Sequence, residues 1–158
     1  MTITTHTAIA VAIGSIVGSP ILGFVLGLIS HYAVDMIPHG DMYLREQNHT
    51  VNQQHEQAGY LLVITDVLVG IALLTTLGFL LPNDVTRSLT YISTVIGSVL
   101  PDALVGLNDL MKSTPGQTHA KLHFFFHDFF CRKHGDAKLR YSLMAQAVFV
   151  IAIVALVS

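Results

Sequence analysis

Residues 3–37 are almost unbroken apolar sequence, interrupted once, at Gly18–Ser19–Pro20. The run is too long for one helix across a hydrocarbon core of ~30 Å, which takes about 20 residues. Serine followed by proline reads as an N-cap and the first position of a new helix. The run therefore divides into a helix over residues 4–17 and another over 20–36, each somewhat short for a full span. Ala10, Gly14 and Gly18 recur every fourth residue on the first, and Gly23 and Gly27 do so on the second. Small residues at that spacing let two backbones approach closely in lipid, so the expectation is a tight hairpin of these two helices.

Composition points the same way. Of 158 residues, 52% are hydrophobic and 11% charged, where a soluble domain carries roughly 25% charged residues. The mean hydropathy is +0.60. We expect an all-α, polytopic membrane protein, with residues 1–158 forming one membrane-embedded helical bundle in contact with the lipid bilayer. The N-terminus lacks the basic region and small-residue cleavage site of a secretory signal, so its first apolar segment should be retained. The single Cys131 rules out an internal disulfide framework, and the net charge of -2 says little about partners; no nucleic-acid partner is expected.

Further along, residues 38–57 are polar and read as a loop or short surface helix. A third helix is predicted over 58–81, a turn at Leu81–Pro82–Asn83 with Asp84 as the next N-cap, and a fourth helix over 85–110. Pro101, inside the fourth, should kink it beside Asp102. After a loop at 113–116, residues 118–132 form an aromatic-rich helix too polar to span, expected to lie at the interface and to stop at Gly135. The last span is Leu139–Val157, which makes five spans in all.

The chemistry is concentrated at His31, Asp35, His39 and Asp41. His31 and Asp35 are four apart and share a helix face, while Pro38 ends the helix and leaves His39 and Asp41 on the loop beyond. Threading five spans brings His6, His31, Asp35, Asp66, Asp102, His123 and His127 to one membrane face. That face also carries Arg45, Lys112, Lys121, Arg132, Lys133, Lys138 and Arg140, with only Arg87 opposite. By the positive-inside rule it is cytoplasmic, so the chain is expected to be multi-pass in the cell (inner) membrane with its polar site facing the cytoplasm.

A carboxylate at helix-centre depth costs ~2.5–3.5 kcal/mol, so Asp66 and Asp102 need partners. The basic side chains lie in loops, leaving His6, His31 and a bound cation. Imidazole with carboxylate, and no thiolate cluster, suits zinc or another divalent metal. The seven residues named are too many for one tetrahedral ion, so either more than one ion binds or some residues support the ligands. His39 and Asp41 are candidates for proton transfer. Simpler roles stand beside these: His31 and Asp35 as a neutral hydrogen-bonded pair, and Asp102 as a cap for backbone freed by Pro101. Phe124, Phe125, Phe126, Phe129 and Phe130 read as an interfacial anchor. His49, His55, His119 and His134 are expected to be solvent-exposed, Asp109, Asp128 and Asp136 to be surface residues, and Cys131 to be inert.

Thr5–His6, the HxxxDxxPHxD arrangement from His31 to Asp41, Asp66 in a leucine-rich helix, Gly97–Ser98–Val99–Leu100–Pro101–Asp102, and His123 with His127 before a final span follow one another along the chain. Together they resemble the bacterial membrane-bound metal-dependent hydrolases related to YdjM. More distantly, the HxxxD element is similar to that of zinc-dependent phospholipase C. The resemblance implies a helical membrane protein with a zinc-type hydrolytic site. Its pattern departs at Gln117–Thr118–His119, a partial match where a compact HR-x-x-TH-type motif is expected. On this reading the chain hydrolyses an ester or phosphoester, including that of a phospholipid, at the cytoplasmic membrane surface. A bound ion would acidify water and stabilise the developing oxyanion. The alternatives are a divalent-cation or proton transporter, which needs polar residues through the whole bilayer, and a non-catalytic metal-binding membrane protein.

Overall fold

The computed structural model describes residues 1–41, 53–80, 84–111 and 114–157, with the side chains of 53–60, 78–80, 109, 110 and 114 excepted. These residues are helical, with no strand among them. The helices are α1 (Ile3–Ile16), α2 (Pro20–Asp35), α3 (Gln53–Leu80), α4 (Val85–Met111), α5 (Thr114–His127), the single turn α6 (Cys131–His134) and α7 (Leu139–Val157). Two are long and apolar enough to cross a membrane, α7 and the Val85–Asn108 part of α4. Ile3–Ile16, Pro20–Asp35 and Leu61–Leu77 are shorter apolar segments. Among the described residues, then, two of the five expected spans are long and apolar enough to cross. At 1.5 Å per residue α1 rises only about 21 Å and α2 about 24 Å.

The break between α1 and α2 follows the predicted chemistry. The Ser19 hydroxyl accepts from Leu22 N–H at 3.5 Å with Pro20 in the first turn. Asp84 likewise caps α4, its carboxylate accepting from Arg87 N–H at 3.3 Å. Three boundaries differ from expectation. α3 begins at Gln53, so the polar stretch before Ala58 is partly helical. α5 begins at Thr114, because Pro115 fits a first helical turn, where its missing N–H is no loss. The predicted 118–132 helix breaks after His127 and resumes as α6, which ends on Gly135 at φ 79. The turn at 81–83, the stretch 42–52 with Arg45 and His49, and the side chains of His55, Asp109 and Lys112 lie outside the described residues.

Helix partnership is the larger correction. Gly23 and Gly27 face α4, not α1: a Cβ on Gly27 would strike the Thr94 carbonyl and Ser98 N, and one on Gly23 the Thr94 hydroxyl. In return Gly97 of α4 presses on the Phe24 carbonyl, and Gly14 of α1 meets the ring of Tyr91, also on α4. A four-residue repeat marks a face without naming its partner. The complementary groove belongs to Thr90, Thr94, Gly97 and Ser98, whose side chains are equally small. α4 is therefore the axis of the bundle, with α1 and α2 laid against it. Around them, large apolar side chains point outward on α7 (Met144, Val148, Ile151, Leu156) and α3 (Leu61, Ile64, Leu68), the distribution a lipid-facing surface requires.

Candidate metal centre

The close α2–α4 contact sets one wall of the site. His31 lies one turn beyond Gly27, and its ring Nδ1–H donates to the Ser98 carbonyl at 2.8 Å. That bond leaves Nε2 as a lone pair directed into the bundle. It faces Asp35 Oδ2 at 3.4 Å and Asp102 Oδ1 at 3.8 Å. From α1, His6 Nε2 lies 3.1 Å from Asp35 Oδ1 and 4.0 Å from Asp102 Oδ2, its ring stacked on that of His31 at 4.4 Å. From α5, His123 Nε2 stands 3.5 Å from Asp102 Oδ1 and 3.9 Å from Asp35 Oδ2. One ligand atom each from His6, His31, Asp35 and Asp102 fall within 4.8 Å of one another. Four helices thus supply three imidazoles and two carboxylates to one point.

The donor set fits a cation. His31 Nε2 and Asp35 Oδ2 are both buried without a hydrogen-bond partner among the described residues, and they confront each other as two acceptors. Each unmet buried acceptor costs ~1–3 kcal/mol or more, which a positive ion between them removes. Two ligands held ~2.0–2.2 Å from one zinc at a tetrahedral angle lie about 3.4 Å apart. The observed separations bracket that value. Burial, assisted by His127 and His119, brings the His123 pKa down to about 4 against the opposing pull of Asp35. The ring is therefore neutral at pH 7, as a ligand must be.

Of the remaining predicted residues, His127, His39 and Asp41 form an adjoining group. Asp41 Oδ2 lies 3.0 Å from His127 Nε2 and 3.2 Å from His39 Nε2. Burial works to raise the Asp41 pKa, but hydrogen bonds from His127 and His39 outweigh it and hold the carboxyl below its usual range. His127 is shifted upward: burial opposes its charge, and the bond to Asp41 prevails. The Met1 amino nitrogen sits 2.5 Å from Asp35 Oδ1 and 2.6 Å from His39 Nε2.

Asp66 is not brought to either group. Its carboxylate accepts from Ile3 N–H at 2.5 Å and Thr4 N–H at 3.1 Å, and the Thr4 hydroxyl donates to its backbone carbonyl. It neutralises the positive end of α1. The depth inferred for Asp66 agrees with this position, but its partner is a helix end.

Three residues expected at the surface support the site instead. Asp128 is buried and accepts from His127 Nδ1–H at 2.9 Å, orienting Nε2 toward Asp41. Asp136 is half-buried and accepts from Gly40 N–H at 2.8 Å, tying the 38–41 loop to the approach to α7. Gly40, at φ 87, leaves no room for a Cβ against Leu139. His119 donates from Nε2–H to the Pro101 carbonyl at 3.0 Å, fastening α5 to α4. Only the adjacency of Asp128 to His127 hinted at these roles in the sequence. Phe125, Phe129 and Phe130 are exposed, Phe126 packs against Tyr32, and Phe124 sets its ring edge against His123 and His127. Cys131 is buried, and burial and Asp136 push its thiol up to about 11. His134 is exposed. Compared with protein-family models, curated proteins and solved structures, the chain matches none, so the chemistry of this centre is read from its own residues.

Proposed function

We propose that this chain is a membrane-bound, zinc-type metal-dependent hydrolase of an ester or phosphoester, the activity its motif order implies. The confrontation of His31 Nε2 and Asp35 Oδ2 carries the reading, because two buried acceptors held 3.4 Å apart make chemical sense around a cation. His6, His31, Asp35 and Asp102 would hold a divalent ion, which when bound would supply Lewis acidity toward a phosphoryl or carbonyl oxygen and would acidify water. The protein's part is to orient: Ser98 fixes the His31 tautomer, and the buried Asp35 holds His6. The Asp102 side chain is 26% exposed, so the group opens on one side.

Transport is the weaker reading. Away from the centre, Thr90, Thr94 and Ser93 line the α2–α4 contact, but their hydroxyls donate to Thr86, Thr90 and Pro20 carbonyls respectively, and glycine packing fills the space between. A conducting path needs such groups free and hydrated.

A lipid-derived substrate suits the surroundings. A groove of about 600 Å³ runs between α3 and α7, walled by side chains such as Leu61, Val69, Leu143, Val150 and Ile151. Its floor reaches Thr2 and Gln146, with Thr2 N–H donating to Gln146 Oε1 at 2.9 Å, one residue from the Met1 nitrogen that touches Asp35. An acyl chain along the groove would end at Thr2, next to the Met1 nitrogen that touches Asp35. The test is hydrolysis of phosphoester and phospholipid substrates by zinc-loaded protein in detergent. His31→Ala should remove bound zinc and lower turnover at least ~100-fold. Ala147→Trp, which fills the groove, should impair long-chain substrates far more than short-chain ones. Zinc content unchanged by His31→Ala would refute the site.

A further inference from the structure

We propose that His39, Asp41 and His127 form a second cation site that shares Asp35 with the first, making the centre dinuclear. The inference rests on the hydrolase reading and adds to it, since sequence alone cast His39 and Asp41 in proton transfer. His39 donates from Nδ1–H to the Ile37 carbonyl at 2.7 Å, and His127 donates from Nδ1–H to Asp128 at 2.9 Å. Each ring thereby aims Nε2 at one space, where Asp41 Oδ2 lies within 3.2 Å of both. Ligand atoms of Asp35, His39 and His127 also lie within 4.8 Å of one another. Asp35 thus belongs to both groups. Oδ1 faces both the Met1 nitrogen and His6 Nε2, while Oδ2 faces His31 and His123, so Oδ1 lies where the two groups meet.

Two observations point to a positive ion here. Asp41 Oδ1 is buried with no hydrogen-bond partner among the described residues, so the carboxylate has a coordination position to spare. The Met1 amino nitrogen, within 2.6 Å of Asp35 and His39, already places a cationic group where an ion would sit. The surrounding scaffold is rigid for a loop. Pro38 ends α2, Gly40 fits only as glycine against Leu139, and Asp136 holds the Gly40 N–H. Imidazole with carboxylate again suits zinc or manganese. Two ions side by side match the clamp that phosphoester cleavage uses on attacking and leaving oxygens.

The experiment is metal analysis of purified full-length protein in detergent, equilibrated with zinc and freed of excess. Wild type should hold two ions per chain, and Asp41→Asn and His39→Gln one each, with helicity by circular dichroism unchanged. Manganese-loaded wild type should show an exchange-coupled electron paramagnetic resonance signal, and Asp41→Asn a mononuclear one. One ion per chain in wild type, removed by His31→Ala, would overturn the second site and leave the hydrolase reading intact. Two ions retained in both loop variants would also overturn it. No bound metal would overturn both.

Discussion

At the scale of single residues, the centre is defined by which ring nitrogen each histidine has left to offer. His31, His39 and His127 all spend Nδ1–H on an oxygen fixed by the fold, and that choice directs Nε2 inward. Asp66 is the contrasting case, a half-buried carboxylate with a structural task. Asp66→Ala should cost about 2 kcal/mol through two lost charge-assisted hydrogen bonds at the start of α1. Bound metal should not change, and thermal unfolding in detergent beside metal analysis separates these outcomes. His123 makes a prediction about pH. Its folded pKa of about 4 lies below the unfolded value near 6.5. The stability it contributes is complete above pH 6.5 and is lost as pH falls toward 4, where the unfolded chain binds the proton more readily. In metal-free protein, the melting temperature of wild type should drop over that window more steeply than that of His123→Gln.

At the scale of elements, two glycine-containing faces hold α2 against α4, and the site depends on that contact because His31 and Ser98 flank it. Gly27→Leu would drive a side chain into α4 backbone at Thr94 and Ser98. It should cost about 3 kcal/mol or more and release the His31–Ser98 bond, lowering metal affinity along with stability. Gly106, also in α4, is the opposite case, since a Cβ added there would meet nothing within 4 Å. Gly106→Ala should therefore stabilise by roughly 0.5–1 kcal/mol, by reducing the freedom of the unfolded chain. The opposite signs of two glycine substitutions in the same helix pair are measurable by melting curves in one detergent.

At the scale of the whole molecule, one end of the bundle gathers the ionisable groups. Asp35 ends α2, His6 and Asp66 meet the start of α1, His123 and His127 arrive on α5, and Arg140 stacks on Tyr141 as α7 begins. An arginine–tyrosine pair at that point suits a membrane interface. Exposed Lys121, Arg132, Lys133 and Lys138 lie on the same segments. If this end faces the cytoplasm, α7 carries the C-terminus across. A phosphatase fused after Ser158, active only outside the cytoplasm, should then be active, and a cytoplasm-dependent fluorescent fusion at the same point should be dark. The reverse pattern would invert the topology.

Hydropathy by itself determined that the chain is helical and apolar beyond what a soluble domain carries, and turn chemistry located Ser19, Asp84, Pro38 and Gly135 at helix ends. Those are local matters, decided by the sterics and hydrogen bonding of neighbouring residues. Spacing also singled out His31 and Asp35, because a helix places them on one face whatever surrounds it. Only tertiary structure decided that Gly23 and Gly27 serve α4 instead of α1, that Asp66 caps α1 while Asp102 joins the histidines, and that Asp128 and Asp136 are supports. Each of those outcomes is a choice of partner across the bundle, and a carboxylate or glycine has the same local signature whichever helix it meets.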